Sequence, residues 1–379
     1  MLFVHSSADR YGADRQLEVM CRTLDATRVT PLALLPYEGP LSADLRAFGV
    51  DVLTGPLAVL RSELLSAAGL RRLAGDVRVM QPALEQLVRA QGIDIVHANT
   101  SAVLGLRRPA AAAGARLVTH VREIYPEIPV AWPLHRRALL RSDRVVCVSR
   151  AVRAALGTEA AHVRVIHDGL GVPSERAPRE AARLALGLPR DAFVVAVLGR
   201  ITTWKGQEVL ARALAEPALA DAIGIVAGAV WPGQEQHETA LRDAAGERFR
   251  LLGWRDDVAT VYGAADVVVV PSTRPDPLPN TALEAGAAGC CVVAANHGGL
   301  PEIIKDGVTG RLVAPGDHRG LATTLAALAA DPAERERLGA AAARDIRARF
   351  APALLGERIA GLYAEIVRAD DHQSSSGAL

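Results

Sequence analysis

Two acidic residues stand eight positions apart in "PDPLPNTALEAGAAG" (275–289). Asp276 lies between two prolines, which predicts a loop because proline continues neither a helix nor a sheet ladder. Asn280 is typical of a helix N-cap and good helix formers follow it, so Glu284 is predicted one turn inside a helix. Carboxylates placed in this way can each accept hydrogen bonds from vicinal hydroxyl groups, such as those of a ribose or another sugar.

The residues between the two acids offer backbone donors. The amides of Leu278, Asn280 and Thr281 are predicted at the open N-terminal end of the helix, where amides lack intrahelical partners and favour an anion. The small residues of "EAGAAG" allow a ligand to approach closely. The pattern suits a ligand with a diphosphate between two sugars. The alternative is that Glu284 caps its own helix and Asp276 only starts a turn.

A second anion site is predicted in "VAVLGRITTWKG" (195–206), where a strand is expected to end at Gly199 and a helix to follow. Arg200 and Lys205 place two cations beside that helix start. Lys205 and Lys305 are the only lysines among 43 basic residues, which favours a role for the compact ammonium group. The stretch contains neither Gly-Lys-Ser/Thr nor G-x-G-x-x-G. The alternative is that both cations are solvated surface charges.

Continuous apolar runs separated by helical patterns predict the elements that position these residues. Runs such as "DIVHA", "RLVTHV", "FVVAVLG" and "DVVVVPS" are typical of parallel strands buried on both faces, and ligands bind beyond the carboxyl ends of such strands. The series pauses near 169–180 and restarts, which predicts two doubly wound α/β domains. We assign residues 1–170 to the first domain, residues 171–352 to the second, and a disordered tail to residues 370–379.

Several segments together resemble glycosyltransferase family 4. "GRITTWKG" resembles its G-R-x-x-x-x-K-G element, and "PSTRPDPLPNTALEAGAAGCCVVAANHGGLPEII" resembles its block of P-S, two acids with seven residues between them, and G-G-x-P-E-I. "LLGWRDDVATVYGAADVVVVPS" and the interdomain "VIHDGLGVP" are also similar to family segments. The resemblance covers nearly the whole chain and is strongest over 193–315.

The resemblance implies a GT-B fold, with two facing Rossmann-like domains, the active site in the interdomain cleft, and a terminal helix at about 353–368 that completes the first domain. It implies transfer of a sugar from a nucleotide-diphosphate donor with retention of configuration and without a metal or another cofactor. The catalytic residues would be His120 beside the donor sugar, Arg200 and Lys205 on the diphosphate, and Asp276 on the transferred sugar. The donor-binding residues would be Gly12, Gly199, Leu278, Asn280, Thr281 and Glu284.

This sequence departs from the family pattern at three places. The first acid of the family's pair of glutamates is Asp276, and the usual Phe-Gly that follows is Leu278-Pro279, which removes one amide donor. The first-domain loop carries Gly12 where a pair of glycines is common. These departures concern the fit of the sugar more than the diphosphate site. Glu123, in "HVRE", is a candidate to orient His120 or to bind the acceptor.

Other functions remain as alternatives at this point. A nucleotide-sugar epimerase of the same fold depends on a different set of acids and histidines. A nucleotide-sugar-binding subunit without activity would not need Arg200, Lys205 and Glu284 together. A dinucleotide oxidoreductase lacks its glycine fingerprint. The acceptor is expected to be a glycan, a lipid-linked sugar or a small molecule.

Composition limits the partners and the compartment. The net charge of +1 and an aromatic content of 4% argue against a nucleic-acid partner. The four cysteines lack metal-ligand spacing and are predicted to be buried free thiols, and the N-terminus does not resemble a signal peptide, so we expect a cytoplasmic protein. Two segments, 57–80 and 132–144, mix arginines with leucines. They suggest peripheral contact with the inner membrane face; the alternative is that the leucines pack on the sheet.

Overall fold

The computed structural model describes residues 1–61, 66–125, 132–171, 175–230, 233, 235–246 and 248–376. The chain divides into two compact units. Unit 1 comprises Met1–Gly169 and Pro352–Leu379, and unit 2 comprises Leu170–Ala351. The sequence-based division was placed after residue 170, with a return to the first domain at about 353.

The described strands of unit 1 form one parallel sheet in the order β3-β2-β1-β4-β5-β6-β7. Each strand is short and largely apolar, and the central ones are buried on both faces, as parallel strands covered by helices must be. The strands are β1 (Leu2–Val4), β2 (Leu32–Leu35), β3 (Asp51–Thr54), β4 (Ile95–Ala98), β5 (Arg116–Val121), β6 (Arg144–Cys147) and β7 (Val163–Val165). The helices are α1 (Gly12–Thr23), α2 (Pro40–Ala47), α3 (Ala67–Ala90), α4 (Arg107–Ala112), α5 (Trp132–Leu139), α6 (Arg150–Leu156) and the C-terminal α15 (Pro352–Ser376).

Helix α15 belongs to unit 1 because its apolar side packs into that unit's core. Leu355, Ile359 and Tyr363 are buried beside residues of α1. At Gly356 the helix comes so close to α1 that an added Cβ would lie 2.5 Å from the Thr23 carbonyl oxygen. The helix continues through residues 370–376, which the sequence pattern assigned to a disordered tail over 370–379; no glycine or proline interrupts them before residue 377. Residues 377–379 lie outside the described residues.

Unit 2 has the same plan. Its described strands form a parallel sheet in the order β10-β9-β8-β11-β12-β13, and β11 is fully buried. The strands are β8 (Val194–Leu198), β9 (Ile223–Ala227), β10 (Phe249–Leu251), β11 (Val267–Val270), β12 (Cys291–Ala295) and β13 (Arg311–Val313). The helices are α7 (Arg179–Ala185), α8 (Gln207–Leu214), α9 (Glu235–Ala245), α10 (Val258–Ala264), α11 (Asn280–Ala287), α12 (Leu300–Ile303), α13 (His318–Ala330) and α14 (Pro332–Arg349).

The four cysteines are buried and free, as predicted. Burial raises the thiol pKa of each to about 12, so the thiols stay protonated and unreactive at neutral pH. Within the described residues, no helix is both long enough and apolar enough to cross a membrane.

Candidate active site

The strand order of unit 2 creates a switch point between β8 and β11. The chain leaves β8 towards β9 on one side and returns to β11 on the other, and ligands of open α/β sheets bind beyond the strand ends at such a point. Arg200 and Lys205 follow β8, whereas Asp276 and Glu284 follow β11. The topology therefore places the predicted cations and the predicted acids at neighbouring strand ends.

An ion pair joins the two strand ends directly. Lys205 Nζ lies 2.6 Å from Asp276 Oδ2, and the two side chains are 22% and 8% exposed. The ammonium group also lies 4.3 Å from the ring centre of Trp204, and the Ser272 hydroxyl is 3.5 Å from the same carboxylate oxygen. The structure thus brings together Lys205 and Asp276, which the sequence analysis assigned to different parts of a donor.

Glycines allow the loops around this pair to approach one another. Gly206 has a φ of 77°, and an added Cβ would lie 2.0 Å from the Pro271 carbonyl oxygen, so only glycine fits. Gly298 approaches the backbone of Asp276 in the same way, because an added Cβ would lie 2.4 Å from the Asp276 carbonyl oxygen. Gly199, just past β8, has a φ of 135°. The lack of a side chain at Gly206 and Gly298 therefore lets the Lys205 loop and the Asp276 loop pack closely against neighbouring backbone.

Arg200 follows Gly199 and is half-buried. The side-chain amide of Gln207, the first residue of α8, donates to the Arg200 carbonyl oxygen at 2.9 Å. This bond ties the loop to the helix start and fixes where the arginine leaves the backbone. A guanidinium at that position supplies planar donors suited to phosphate oxygens.

The start of α11 differs from the expectation in one respect. The N-cap is Pro279, in an extended conformation, and Asn280 is already the first helical residue, so Asn280 is not the cap. The Thr281 hydroxyl donates to the Leu198 carbonyl oxygen at 3.3 Å, which anchors the helix start to the end of β8. Leu278, in the loop before this helix, is buried.

Glu284 lies one turn inside α11 and is half-buried. The Tyr262 hydroxyl, from α10, donates to Glu284 Oε2 at 3.3 Å. Tyr262 is fully buried and was not selected from the sequence, where it looks like an ordinary core aromatic residue. Its hydroxyl orients the carboxylate without neutralising it.

Unit 1 has its own switch point, between β1 and β4. His5, after β1, lies 2.7 Å from Asp14 Oδ1, and Asn99, after β4, lies 3.1 Å from the other ring nitrogen of His5. Burial raises the pKa of Asp14, but hydrogen bonds from His5, Ser7 and the Tyr11 amide outweigh it and leave the pKa below its usual value. Gly12 begins α1, two residues before Asp14.

His120 is the fourth predicted catalytic residue, and the structure places it near the end of β5, fully buried. Its Nδ1 lies 3.3 Å from Arg122 Nη2, and its ring centre is 5.5 Å from that of His97. Burial, Arg122 and His97 hold the pKa of His120 well below 6.5. Burial and Arg122 likewise lower the pKa of His97 to about 3 while its Nδ1 bonds the Tyr363 hydroxyl at 2.6 Å. Both imidazoles are therefore neutral.

Glu123 does not contact His120 in the described structure. Its carboxylate accepts hydrogen bonds from the hydroxyls of Thr100 and Ser101 and from the Arg122 amide at 3.1 Å. The side chain within hydrogen-bond distance of His120 Nδ1 is that of Arg122, which was not among the residues selected from the sequence. Arg122 is two positions after His120, a spacing that returns a side chain to the same face of an extended chain.

The two Arg-rich segments of unit 1 are only partly explained by packing. In α3, Leu73 is buried, but Leu70 is 46% exposed. In α5, Leu139 is buried and Leu134 is 76% exposed. Residues 62–65 of the first segment lie outside the described residues.

The described parts of the chain contain no group of three or more His, Cys, Asp or Glu residues arranged to hold a metal.

Two family models divide the chain between them. The model for glycosyltransferase family 4 matches residues 12–171, and the model for glycosyl transferases group 1 matches residues 178–345. A D-inositol 3-phosphate glycosyltransferase of Kribbella flavida is 31% identical over 341 residues, which is 83% of this chain and 75% of that protein. The chain belongs to glycosyltransferase family 4.

Further comparisons extend this result. A Streptomyces bingchenggensis protein of the same name is 35% identical over 227 residues, which cover 56% of this chain. The chain spans about half the length of several such relatives; for that one the share is 50%. Anabaena HepE, solved with UDP and glucose, is 25% identical with a TM-score of 0.80 over 96% of this chain and 98% of its own. The predicted GT-B fold class is confirmed.

Proposed function

We propose that the protein is a retaining glycosyltransferase that moves a sugar from a nucleoside-diphosphate sugar to an acceptor hydroxyl and uses no metal. The observation that carries the proposal is the Lys205–Asp276 ion pair at the switch point of unit 2. A cation for a phosphate and an acid for a sugar hydroxyl stand side by side there, and Arg200 and Glu284 come from the same two strand ends.

We further propose that the donor is a UDP-sugar, because the Anabaena relative was solved with UDP and with UDP-glucose. Glu284 would accept from the ribose hydroxyls, and Tyr262 holds its carboxylate in place. The amides of Asn280 and Thr281 begin a helix of eight residues and would favour a phosphate. Asp276 would accept from a hydroxyl of the transferred sugar.

Lys205 can serve the sugar and the phosphate at once. An ammonium group has three N–H donors, so one can remain on Asp276 while the others bind phosphate oxygens. As the bond to the anomeric carbon breaks, the leaving diphosphate gains negative charge, and Lys205 and Arg200 stabilise it. In a front-face substitution the leaving phosphate also takes the proton of the acceptor hydroxyl. No side-chain base is then required.

For the acceptor, the relatives supply the first compound to test. Proteins 31% and 35% identical to this chain are named D-inositol 3-phosphate glycosyltransferases. We therefore propose an acceptor of the polyol-phosphate or glycan class and place inositol 3-phosphate first in the assay. Lipid-linked sugars form the second group.

The test measures release of UDP from a panel of UDP-sugars with and without each acceptor, in the presence of EDTA. Lys205→Ala should lower acceptor-dependent UDP release about a hundredfold or more. Lys305→Ala is the matched control: Lys305 is the other lysine of the chain and pairs with Asp345 on the surface of unit 2. Formation of an epimerised nucleotide sugar would instead support a nucleotide-sugar epimerase. Binding of a UDP-sugar without turnover would support an inactive nucleotide-sugar-binding subunit. Equal activity in the two lysine variants would remove Lys205 from it.

A further inference from the structure

Arg122 holds a buried position in unit 1 where all its donors are directed at named acceptors. Nε donates to the Asn99 carbonyl oxygen at 2.9 Å, and Nη2 donates to Asn99 Oδ1 at 3.2 Å. Nη1 donates to both carboxylate oxygens of Asp168. The remaining contact is from Nη2 to Nδ1 of His120, at 3.3 Å. Asn99 and Asp168 thus fix the guanidinium, and its remaining N–H group points at the His120 imidazole.

The direction of the Arg122–His120 bond follows from the chemistry of the two groups. A guanidinium remains protonated in proteins and has donors only, so Nδ1 of His120 must be the acceptor. A neutral imidazole that accepts at Nδ1 carries its proton at Nε2. The imidazolium form is disfavoured because it would place a second cation beside Arg122 in a buried site.

Nε2 of His120 is buried and has no hydrogen-bond partner within the described part of the chain. Buried donors are almost always paired, so an unpaired one marks a position that a substrate group or a water can occupy. His5, at the switch point between β1 and β4, has a partner at each ring nitrogen: Asn99 at Nδ1 and Asp14 at Nε2. His120 has the same kind of Nδ1 partner but lacks the second acceptor.

We propose that Arg122 is a positioning residue that fixes His120 as the neutral Nε2–H tautomer and so supplies a hydrogen-bond donor, not a base, to the substrate. Asp168 anchors Arg122 from the end of the first of the two stretches that make up unit 1, Met1–Gly169. Arg122 itself touches no substrate and acts through the ring. The assignment of the substrate as a sugar donor or acceptor hydroxyl rests on the proposed function, but the tautomer does not.

The tautomer is read by nuclear magnetic resonance of the full chain labelled in its ten histidines, with the His120 signals identified by their loss in His120→Gln. Without substrate, His120 should show a protonated Nε2 and an unprotonated Nδ1 from pH 5 to pH 8. An Nδ1–H tautomer, or an imidazolium within that range, would overturn the proposal. This spectrum does not depend on activity. If only the glycosyltransferase proposal is wrong, His120 still shows the expected tautomer but the protein turns over no sugar donor.

The role of Arg122 is tested by two variants. Arg122→Met combined with Asp168→Leu removes both partners and leaves no unpaired buried charge. It should admit the second tautomer and lower kcat at least tenfold, with little change in KM for the donor. Arg122→Lys keeps a cationic donor and should retain the Nε2–H tautomer and more of the activity. A pure Nε2–H tautomer with unchanged kcat in the paired variant would contradict a positioning role. If that variant does not fold, Arg122→Lys decides, because loss of the Nε2–H tautomer there would also contradict the assignment.

Discussion

The Lys205–Asp276 ion pair should couple catalysis to the stability of unit 2. Loss of Lys205 should lower turnover, because its ammonium group is the candidate ligand of the leaving diphosphate. It should also lower stability, because the ammonium group is the cationic partner of a carboxylate that is only 8% exposed. We therefore expect Lys205→Met to lower both turnover and the free energy of unfolding.

The magnitude follows from a comparison within the same unit. The Lys305–Asp345 pair has the same nitrogen–oxygen distance of 2.6 Å, but its side chains are 52% and 18% exposed, against 22% and 8% for Lys205–Asp276. Exposed pairs contribute roughly 0–1 kcal/mol, whereas breaking a buried pair costs roughly 3–5 kcal/mol. Because Lys205 is still partly solvated, we place the free energy of its coupling to Asp276 between these two limits, at about 2 kcal/mol. The coupling of the surface pair should be below about 1 kcal/mol.

The assay is a double-mutant cycle followed by thermal unfolding. The variants Lys205→Met and Asp276→Asn and their combination are compared with the same cycle at Lys305 and Asp345. For a unit of this size, about 2 kcal/mol corresponds to a shift of roughly 4–8 °C in Tm. A coupling at Lys205–Asp276 no larger than that of the surface pair would refute the argument that burial strengthens the pair.

Three further outcomes are expected. Calorimetric titration should show that Glu284→Ala weakens binding of UDP at least tenfold, whereas Asp276→Asn weakens binding of the intact UDP-sugar and leaves UDP binding unchanged; equal losses would contradict this division. The free energy of unfolding should fall as pH drops from 6.5 towards 3, because over this range the unfolded chain binds a proton that buried His97, with its pKa of about 3, does not. His97→Gln should reduce the slope of the free energy of unfolding against pH over this range, and an unchanged slope would exclude His97 as the cause. The protein should sediment with anionic liposomes at low salt if segments 57–80 and 132–144 bind a membrane, and protein left in the supernatant would contradict that hypothesis.

The sequence predicted which residues follow the strands but not the contacts between them. Arg200, Lys205, Asp276 and Glu284 all lie after apolar runs, and the parallel sheet places those runs side by side. The direct contact between Lys205 and Asp276 joins positions 71 residues apart, so it depends on strand order and loop conformation. Neither can be obtained from spacing along the chain.

The missed residues share a physical cause. In a chain where nearly every cation is arginine, nothing in "HVRE" distinguishes buried Arg122 from a surface charge, and the candidate taken from that segment was Glu123, either to orient His120 or to bind the acceptor. Burial raises the pKa of Asp168 despite the adjacent guanidinium, which shows how strongly this pair is desolvated. Desolvation of that kind depends on three-dimensional packing. Asn280 was misplaced as an N-cap because a proline before it takes that position.

Proton magnetic resonance of the transfer product tests the central claim most directly. The enzyme is incubated with an α-linked UDP-sugar and the best acceptor of the panel in the presence of EDTA, and the coupling constant of the new anomeric proton is recorded. The account predicts an α-linked product that forms with EDTA present and that Lys205→Ala forms at least a hundred times more slowly. A β-linked product, or a product that requires an added divalent metal, would contradict it.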